Sequence, residues 1–568
     1  MREVVIEILR KILKEEKLDL KPEEIDKFIE VPSDTDMGDF AFPCFRIAAK
    51  LKQEPFEAAL MIREKIGNFS KEYFEDIQTS GPYVNFFVNR KGLAQYLIQE
   101  VLKKKEKFGK NNIAKNQKIM IEFSQPNTHK SFHVGHIRGT SVGESLARIA
   151  GFCGAKVVRA NYQGDTGMHV AKWLWCYKKY HPKVKIKKDE AWVASIYVDA
   201  VKRLAKDKTL QKEVDKINQK LGTKEDEELN KIWKKTRKVS LEALEKVYKE
   251  LNTHFDIYFF ESDVEKRGFE IIDKLLKNKI ARVSQGAVII NLKKYKLGVW
   301  VLLRKDKTML YSGKDLSLAE KKFKKYKLDR SIYVVANEQD LHFKQLFKVL
   351  GLMKFEGAEK LQHVSYGMVR FPHGKMSSRT GDNILYSDLL EKIKDRTRER
   401  IKEREEKISK KELEKRTLAI SIAAMKYPML KQNSNKNIIF DIKEATNFEG
   451  DTGPYIQYSY ARACSILRKA KNKEIKSFEV PEMNPKEIEL VKKLFKFPEI
   501  VSNSYNNLNP ALITNYSYSL AKIFNEFYHE SPVIGSEEED FRISLVKSFK
   551  QVLKNSLDLL GIETLEKM

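Results

Sequence analysis

KIMIEFSQPNTHKSFHVGHIRGTSVGESLARIAGFCG, Lys118 to Gly154, is the stretch on which the fold turns. Ile119 to Phe123 is a short apolar run of the kind that makes a buried strand. A polar loop, Ser124 to Lys130, follows and carries Pro126 and Asn127. From Val134 the apolar residues Ile137, Val142, Leu146, Ile149 and Cys153 recur at helical steps, and Gly154 stands where a helix stop belongs. Strand, loop and helix in that order aim backbone N–H groups and the positive end of a helix dipole at the loop, an anion site. His133 and His136, three apart at the helix start, can face one bound group, and Gly135 between them leaves room for a ligand to approach. A phosphate is the anion expected, although neither a P-loop nor a GxGxxG accompanies the site. The plainer alternative is a pair of ordinary surface or core histidines.

Working outward, AKVVRANY (155–162) is a second strand, ending in the turn Gln163 to Gly167 before a helix with Trp173. Strand and helix alternate, which predicts a parallel α/β sheet with ligands at the strand C-termini. Residues 178–250 are rich in Lys and Glu at helical spacing and read as an insertion with solvated faces. FDIYFFESD places Glu261 after an aromatic strand, and GAVIINL (286–292) and VWVLLRK (299–305) are two further strands. In LYSGKDLSLAE, Tyr311 and Asp315 are four apart and share one helix face. SIYVVAN (331–337) is another buried-strand run, with Gln339 and His342 at its exit. GKMSSRTG, 374–381, sets a lysine and hydroxyls between glycines, a loop rich in phosphate donors. From about 395 onward the pattern is helical to the end.

Upstream, residues 1–110 form a first unit with helices at 3–16 and 53–67 and a strand, GPYVNFFVN. Asn85 with Tyr83, Phe86 and Phe87 would offer a stacking and hydrogen-bonding face to unpaired bases, unless the aromatics are core. The basic segment 103–118 reads as a linker. A chain of 568 residues needs roughly three or four domains. Lys and Arg exceed the acids by 28, which favours a polyanionic partner, nucleic acid first. No apolar run is long enough to span a membrane, and the charged N-terminal helix lacks a signal-peptide pattern. Four scattered cysteines, Cys44, Cys153, Cys176 and Cys464, suggest neither a metal knuckle nor a disulfide framework, so cytoplasm is the expected compartment.

HVGH early and KMSS late resemble the paired signatures of class I aminoacyl-tRNA synthetases. EFSQPNTHKSFHVGHIRG, NYQGDTGMHVAKW, YFFESD, YSGKDL, VVANEQDLHF, KMSSRTGD and FEGDTGPYIQYSYARACSILRK narrow the resemblance to the arginyl-tRNA synthetase family, in its archaeal or bacterial form, over nearly the whole chain. The resemblance implies an α/β, Rossmann-like catalytic domain at 111–400, an α+β N-terminal domain at 1–110 contacting tRNA, and a helical anticodon-binding domain at 401–568. It implies activation of arginine by ATP, with Mg2+ accompanying the nucleotide, then transfer to the 3′ end of tRNA(Arg), with the first step waiting for bound tRNA, by a chain expected to be a monomer. ATP would meet His133, Gly135, His136, Lys375, Met376 and Ser377. Arginine would meet Glu122, Asn127, Glu261, Tyr311, Asp315 and Gln339, with Asp315 and Glu261 as the planar carboxylate partners a guanidinium needs. A structural salt bridge is the alternative for the two glutamates, and a helix cap for Asp315. Asn85, Tyr455, Tyr458, Arg462 and the terminal Met568 would contact tRNA. The loop departs from KMSKS in having Ser378 where the second lysine belongs, and Lys130, just ahead of HVGH, is expected to supply that charge.

Overall fold

The structure, a computed structural model, describes residues 2–32, 37–68, 71, 73–372, 384–405, 407–475 and 477–568. The loop 374–381, with Lys375, Met376 and Ser377, therefore lies outside the described residues. The chain forms two compact units, one of residues 1–105, 466–495 and 523–551, the other of residues 106–465, 496–522 and 552–568.

In the first unit, β1 (Phe40–Pro43), β2 (Phe74–Ser80) and β3 (Tyr83–Val88) make an antiparallel sheet in the order β1-β3-β2. Val84, Phe86 and Val88 alternate inward against Val5, Leu9 and Leu13 of the helix Arg2–Glu15 and Ile62 of the helix Pro55–Ile66. Tyr83, Asn85 and Phe87 take the other face by the same alternation. Asn85 is only 2% exposed on this face, between the half-buried Tyr83 and Phe87. Phe86 is core, because it points the opposite way.

The second unit is built on five parallel strands, β4 (Lys118–Glu122), β5 (Lys156–Gln163), β6 (Ile257–Phe260), β10 (Arg330–Ala336) and β11 (Leu361–Tyr366), in the order β11-β10-β4-β5-β6. The chain winds from β4 outward to β6 and then crosses to the other side of β4. That reversal opens a crevice at the C-terminal ends of β4 and β10, where ligands of such sheets bind. The helix Val134–Phe152 packs on one face. On the other, Leu318 of the helix Tyr311–Tyr326 meets Met120, Ala160 and Phe259.

Runs 286–292 and 299–305 form strands as expected, in a sheet of their own: β8 (Ala287–Asn291) pairs antiparallel with both β7 (Arg282–Ser284) and β9 (Val299–Leu303). Short connections explain this, since a parallel return requires a crossover of a dozen or more residues. β11 was not expected, because an edge strand with Gln362, His363 and Ser365 lacks a continuous apolar run. The supposed linker 103–118 is also packed at Phe108, Gly109 and Ala114, while most of its other residues are exposed. Phe108 is buried and stacks on Phe497 at 6.2 Å, while the Asn555 side chain donates to its carbonyl at 3.1 Å. The later chain is helical as expected, apart from β13 (Ile438–Ile439), which pairs with β12 (Val369–Arg370). The insertion folds as helices Glu190–Lys206, Gln211–Thr223 and Glu227–Glu250 around Trp173, Trp175 and Trp233.

Candidate active site

His133 is the N-cap of the helix Val134–Phe152, and its Nδ1 accepts the Gly135 N–H at 3.2 Å. The His133 N–H in turn donates to Nδ1 of His136 at 3.2 Å, and the two rings lie 3.8 Å apart. This reciprocal cap satisfies donors that a helix start leaves unpaired. Both Nδ1 atoms are spent as acceptors, so both rings carry their proton on Nε2 and present it outward as a neutral donor. Burial, with Lys130 adding to it, pushes the His133 imidazole down to about 4. Burial also holds His136 well below the usual histidine range, with His133 and Lys130 adding to it. A Cβ on Gly135 would lie 3.1 Å from the His133 ring, so the glycine first of all admits the capping histidine.

The loop before that helix is conformationally expensive. Ser124, Gln125 and His129 all have positive φ, at 74°, 49° and 62°. Side-chain bonds hold it down. His129 is buried between Thr128 Oγ1 at 3.0 Å and Thr236 Oγ1 at 2.9 Å, and its N–H donates to Ser240 at 3.0 Å. Lys130 is half-buried, with its ammonium 5.6 Å from the Tyr197 ring centre on the insertion. Burial and then Lys172 lower its pKa, and its charge is felt by His133, His136 and His169. The structure thus brings Lys130 to the histidine pair.

The acids gather on the face of the sheet opposite that helix. Glu122 ends β4 and is buried at 2% exposure against the Lys322 ammonium, 2.5 Å away, which also lies over the Tyr333 ring. Burial pushes the Glu122 carboxyl above the usual range despite that lysine. Glu261 starts the helix Glu261–Lys277 and accepts from Lys314 at 2.7 Å; burial raises it too. Asp315 accepts from His342 Nε2 at 2.7 Å, and the Tyr311 ring stands edge-on to the same imidazole at 4.6 Å. A side chain on Gly164 would strike Asn127 Oδ1 at 2.3 Å and come within 3.4 Å of Glu261 Oε1, which brings those two residues to one place. Gln339 is exposed just beyond the end of β10, at the mouth of the crevice.

Several supporting residues were not singled out from the sequence. Lys314 immediately precedes Asp315 and Lys322 follows it by seven positions, on the same helix. The helical spacing of Lys322 from Asp315 was a readable signal. Asp165 is buried and ties the turn to Ser262 and Arg237, which fixes the start of Glu261's helix. Arg138 is buried, and its guanidinium donates to the carbonyls of Gly367, Met368, Ser434 and Lys436. Burial lowers its pKa to about 10.

Farther along the same unit, Tyr458 lies under two guanidinium groups, Arg404 and Arg462, each 5.0 Å from its ring centre. Met568 packs with Tyr458 on the cluster of Ile401, Ile420, Phe448 and Leu565. Tyr455 is half-buried one turn away, 5.8 Å from Tyr518. These four expected tRNA-contacting residues therefore share one neighbourhood, part polar and part packed.

A parallel sheet with a histidine-capped helix at its switch point defines a class I tRNA synthetase catalytic domain. The family described as tRNA synthetases class I (R), catalytic domain, matches residues 97–442, the DALR anticodon binding domain matches 456–568, and the arginyl tRNA synthetase N terminal domain matches 2–88. Arginine–tRNA ligase of Clostridium kluyveri is 37% identical over 97% of this chain and 98% of its own length. That of Clostridium acetobutylicum is 36% identical over the whole of both. The solved arginyl-tRNA synthetase of Thermus thermophilus aligns over all of both chains with a TM-score of 0.80 at 24% identity, a likeness of fold. The chain belongs to the arginyl-tRNA synthetase family.

Proposed function

We propose that this protein activates arginine with ATP and transfers it to tRNA(Arg). The observation that carries this reading is the gathering of Glu122 and Glu261 within reach of the Asp315 charge, in the same sheet unit as the helix that His133 and His136 cap. The arginine carboxylate attacks the α-phosphate of ATP and pyrophosphate leaves. Catalysis of such a step is chiefly positioning and charge neutralisation. The two Nε2–H donors of His133 and His136 hold phosphate oxygens as charge grows, assisted by the Lys130 ammonium. Lys375, with Met376 and Ser377, covers the leaving pyrophosphate from the opposite side, as the family resemblance implies. Asp315 and Glu261 take the guanidinium, Tyr311 lines it, and Glu122, Asn127 and Gln339 order the head group and its surroundings.

Mg2+ enters as part of the nucleotide. It requires oxygen ligands, whereas the phosphate end of the crevice offers histidine nitrogens and an ammonium. Among the described residues the one cluster of three potential metal ligands, Cys176, His181 and Asp199, lies in the insertion instead. In this reading residues 1–110 and 401–568 are tRNA-contacting domains and 111–400 the catalytic domain; the three family matches support that order, with the catalytic match running on to 442. No helix among the described residues is long and apolar enough to cross a membrane. A cytoplasmic monomer is the working form in this reading. Pyrophosphate exchange across the amino acids, with and without tRNA, tests it; exchange driven by an amino acid other than arginine overturns it.

A further inference from the structure

We infer that His342, locked in one tautomer by Trp300, is the positioning residue that aims Asp315 at the substrate guanidinium, so that Asp315 rather than either glutamate is the principal charge partner. The inference rests on the functional reading above and deepens it.

The three acids are not equivalent. Glu122 and Glu261 each already hold an ammonium of the helix Tyr311–Tyr326, from Lys322 and Lys314 respectively. Asp315 lies on that same helix, yet among the described residues it has no lysine or arginine partner; its close contact is with an imidazole, His342. A guanidinium arriving in the crevice therefore meets two acids that must share or exchange a cation and one that need not. Competition with a tethered ammonium costs affinity, while a carboxylate without a cation gains the full charge-assisted bond.

Orientation comes from a chain of donors. Trp300, on β9, is buried, and its indole N–H can only donate; it donates to Nδ1 of His342 at 3.3 Å. Nδ1 is thereby an acceptor, so the proton of the neutral ring is on Nε2, and that N–H donates to Asp315 Oδ2 at 2.7 Å. A neutral donor on Oδ2 fixes the plane of the carboxylate without cancelling its charge. Oδ1 accepts from no described residue and is the oxygen left for the substrate. Three separate elements contribute, β9, the helix Tyr311–Tyr326 and the helix Asp340–Leu352, so the alignment is made by tertiary packing and not by one helix face. The antiparallel sheet β7–β9 acquires a role by this route, since it delivers the indole.

The test uses pyrophosphate exchange by the full-length enzyme with saturating tRNA, reading KM for arginine separately from KM for ATP and kcat. Glutamine preserves an acceptor toward Trp300 and a donor toward Asp315, whereas leucine preserves neither. His342→Leu should raise KM for arginine about tenfold, the scale of one charge-assisted bond, with KM for ATP unmoved. His342→Gln should return KM to within about threefold of the parent, and Trp300→Phe, which keeps the ring and removes the N–H, should raise it about threefold. Glutamine and leucine behaving alike, or an unchanged KM in Trp300→Phe, overturns the positioning role. Trp300→Phe and His342→Gln keep the question decidable if His342→Leu does not fold. Asp315→Asn separates the two layers. If it leaves KM unchanged, the assignment of the pocket fails; if it raises KM while the His342 series does not, the pocket stands and the inference alone fails.

Discussion

The backbone N–H of Val134 donates to the carbonyl of Ile384 at 3.1 Å, and the N–H of Tyr386 donates to the carbonyl of Phe132 at 2.9 Å. Residues at the histidine-capped helix start and residues just after the Lys375 stretch are thus bonded together, 250 positions apart in the chain (384 minus 134). The chain just downstream of the Lys375 stretch is therefore fastened to the histidine-capped helix start. Lys375→Ala should lower kcat for activation by about a hundredfold, the scale of a lost transition-state charge contact, with little change in KM for arginine. Steady-state pyrophosphate exchange checks this, and an equal fall in the rate and the affinity for arginine would contradict it.

Lys130 stands beside both histidines, and the loop lacks its second lysine at Ser378, a residue outside the described set. Lys130→Ala should slow activation at least about tenfold. Adding Ser378→Lys should recover part of the loss. A double variant no faster than Lys130→Ala would show that the two positions do not share a role.

Imidazoles held below the ordinary histidine range give stability a dependence on pH. Burial pushes His129 down to about 3, and chiefly burial takes His133 and His169 to about 4. The unfolded chain binds those protons near the ordinary value of about 6.5, so below that pH the unfolded state gains protons the folded state refuses. Stability is full above about pH 6.5 and falls as the pH drops toward 4, by roughly 1.4 kcal/mol per pH unit for each such histidine. Urea midpoints between pH 7 and pH 4.5 should show this fall, with a shallower slope in His129→Gln. Equal slopes would mean His129 is already protonated in the fold.

Activation should also depend on tRNA. Arginine and ATP alone are expected to give little exchange, and tRNA(Arg) to restore it, because a ligand shifts a closure only by binding the closed state better. Tyr458→Ala and Arg462→Ala should weaken that stimulation. Deleting Met568 should do so more mildly. Binding should fall steeply with salt as phosphate contacts release counterions. Full exchange at zero tRNA, on nucleic-acid-free enzyme, would end the coupling.

How much of this was legible beforehand follows from the range of the interactions involved. The strand–loop–helix at Lys118–Gly154 was readable because periodicity, loop polarity and the terminal glycine are local signals, and they agree. Tyr311 and Asp315 were readable as a pair for the same reason, four residues apart on one helix. The partners of the acids were not. Lys322 meets Glu122 across 200 residues (322 minus 122), and Trp300 reaches Asp315 only through a third element. β11 was hidden because its pairing with β10, and not its own pattern, makes it a strand. Asn85 was read as a presenting group because alternation predicts which face a residue takes, but not how deeply that face is covered.

The carbonyls that hold Arg138 have a consequence for drift. All four belong to the backbone, so substituting the side chain of Met368, Ser434 or Lys436 removes none of them, whereas a side chain on Gly367 would strike the Lys436 carbonyl at 2.5 Å. The upstream anchor of the Lys375 segment, β12 against β13, therefore leans on few side chains, Arg138 and Asn437, whose Oδ1 accepts the Met368 N–H at 2.8 Å, together with the glycine at 367. Side-chain changes at 434 and 436 leave these bonds standing while loss of the 138 guanidinium removes all four, so a chain that selects arginine as cargo depends on one arginine of its own.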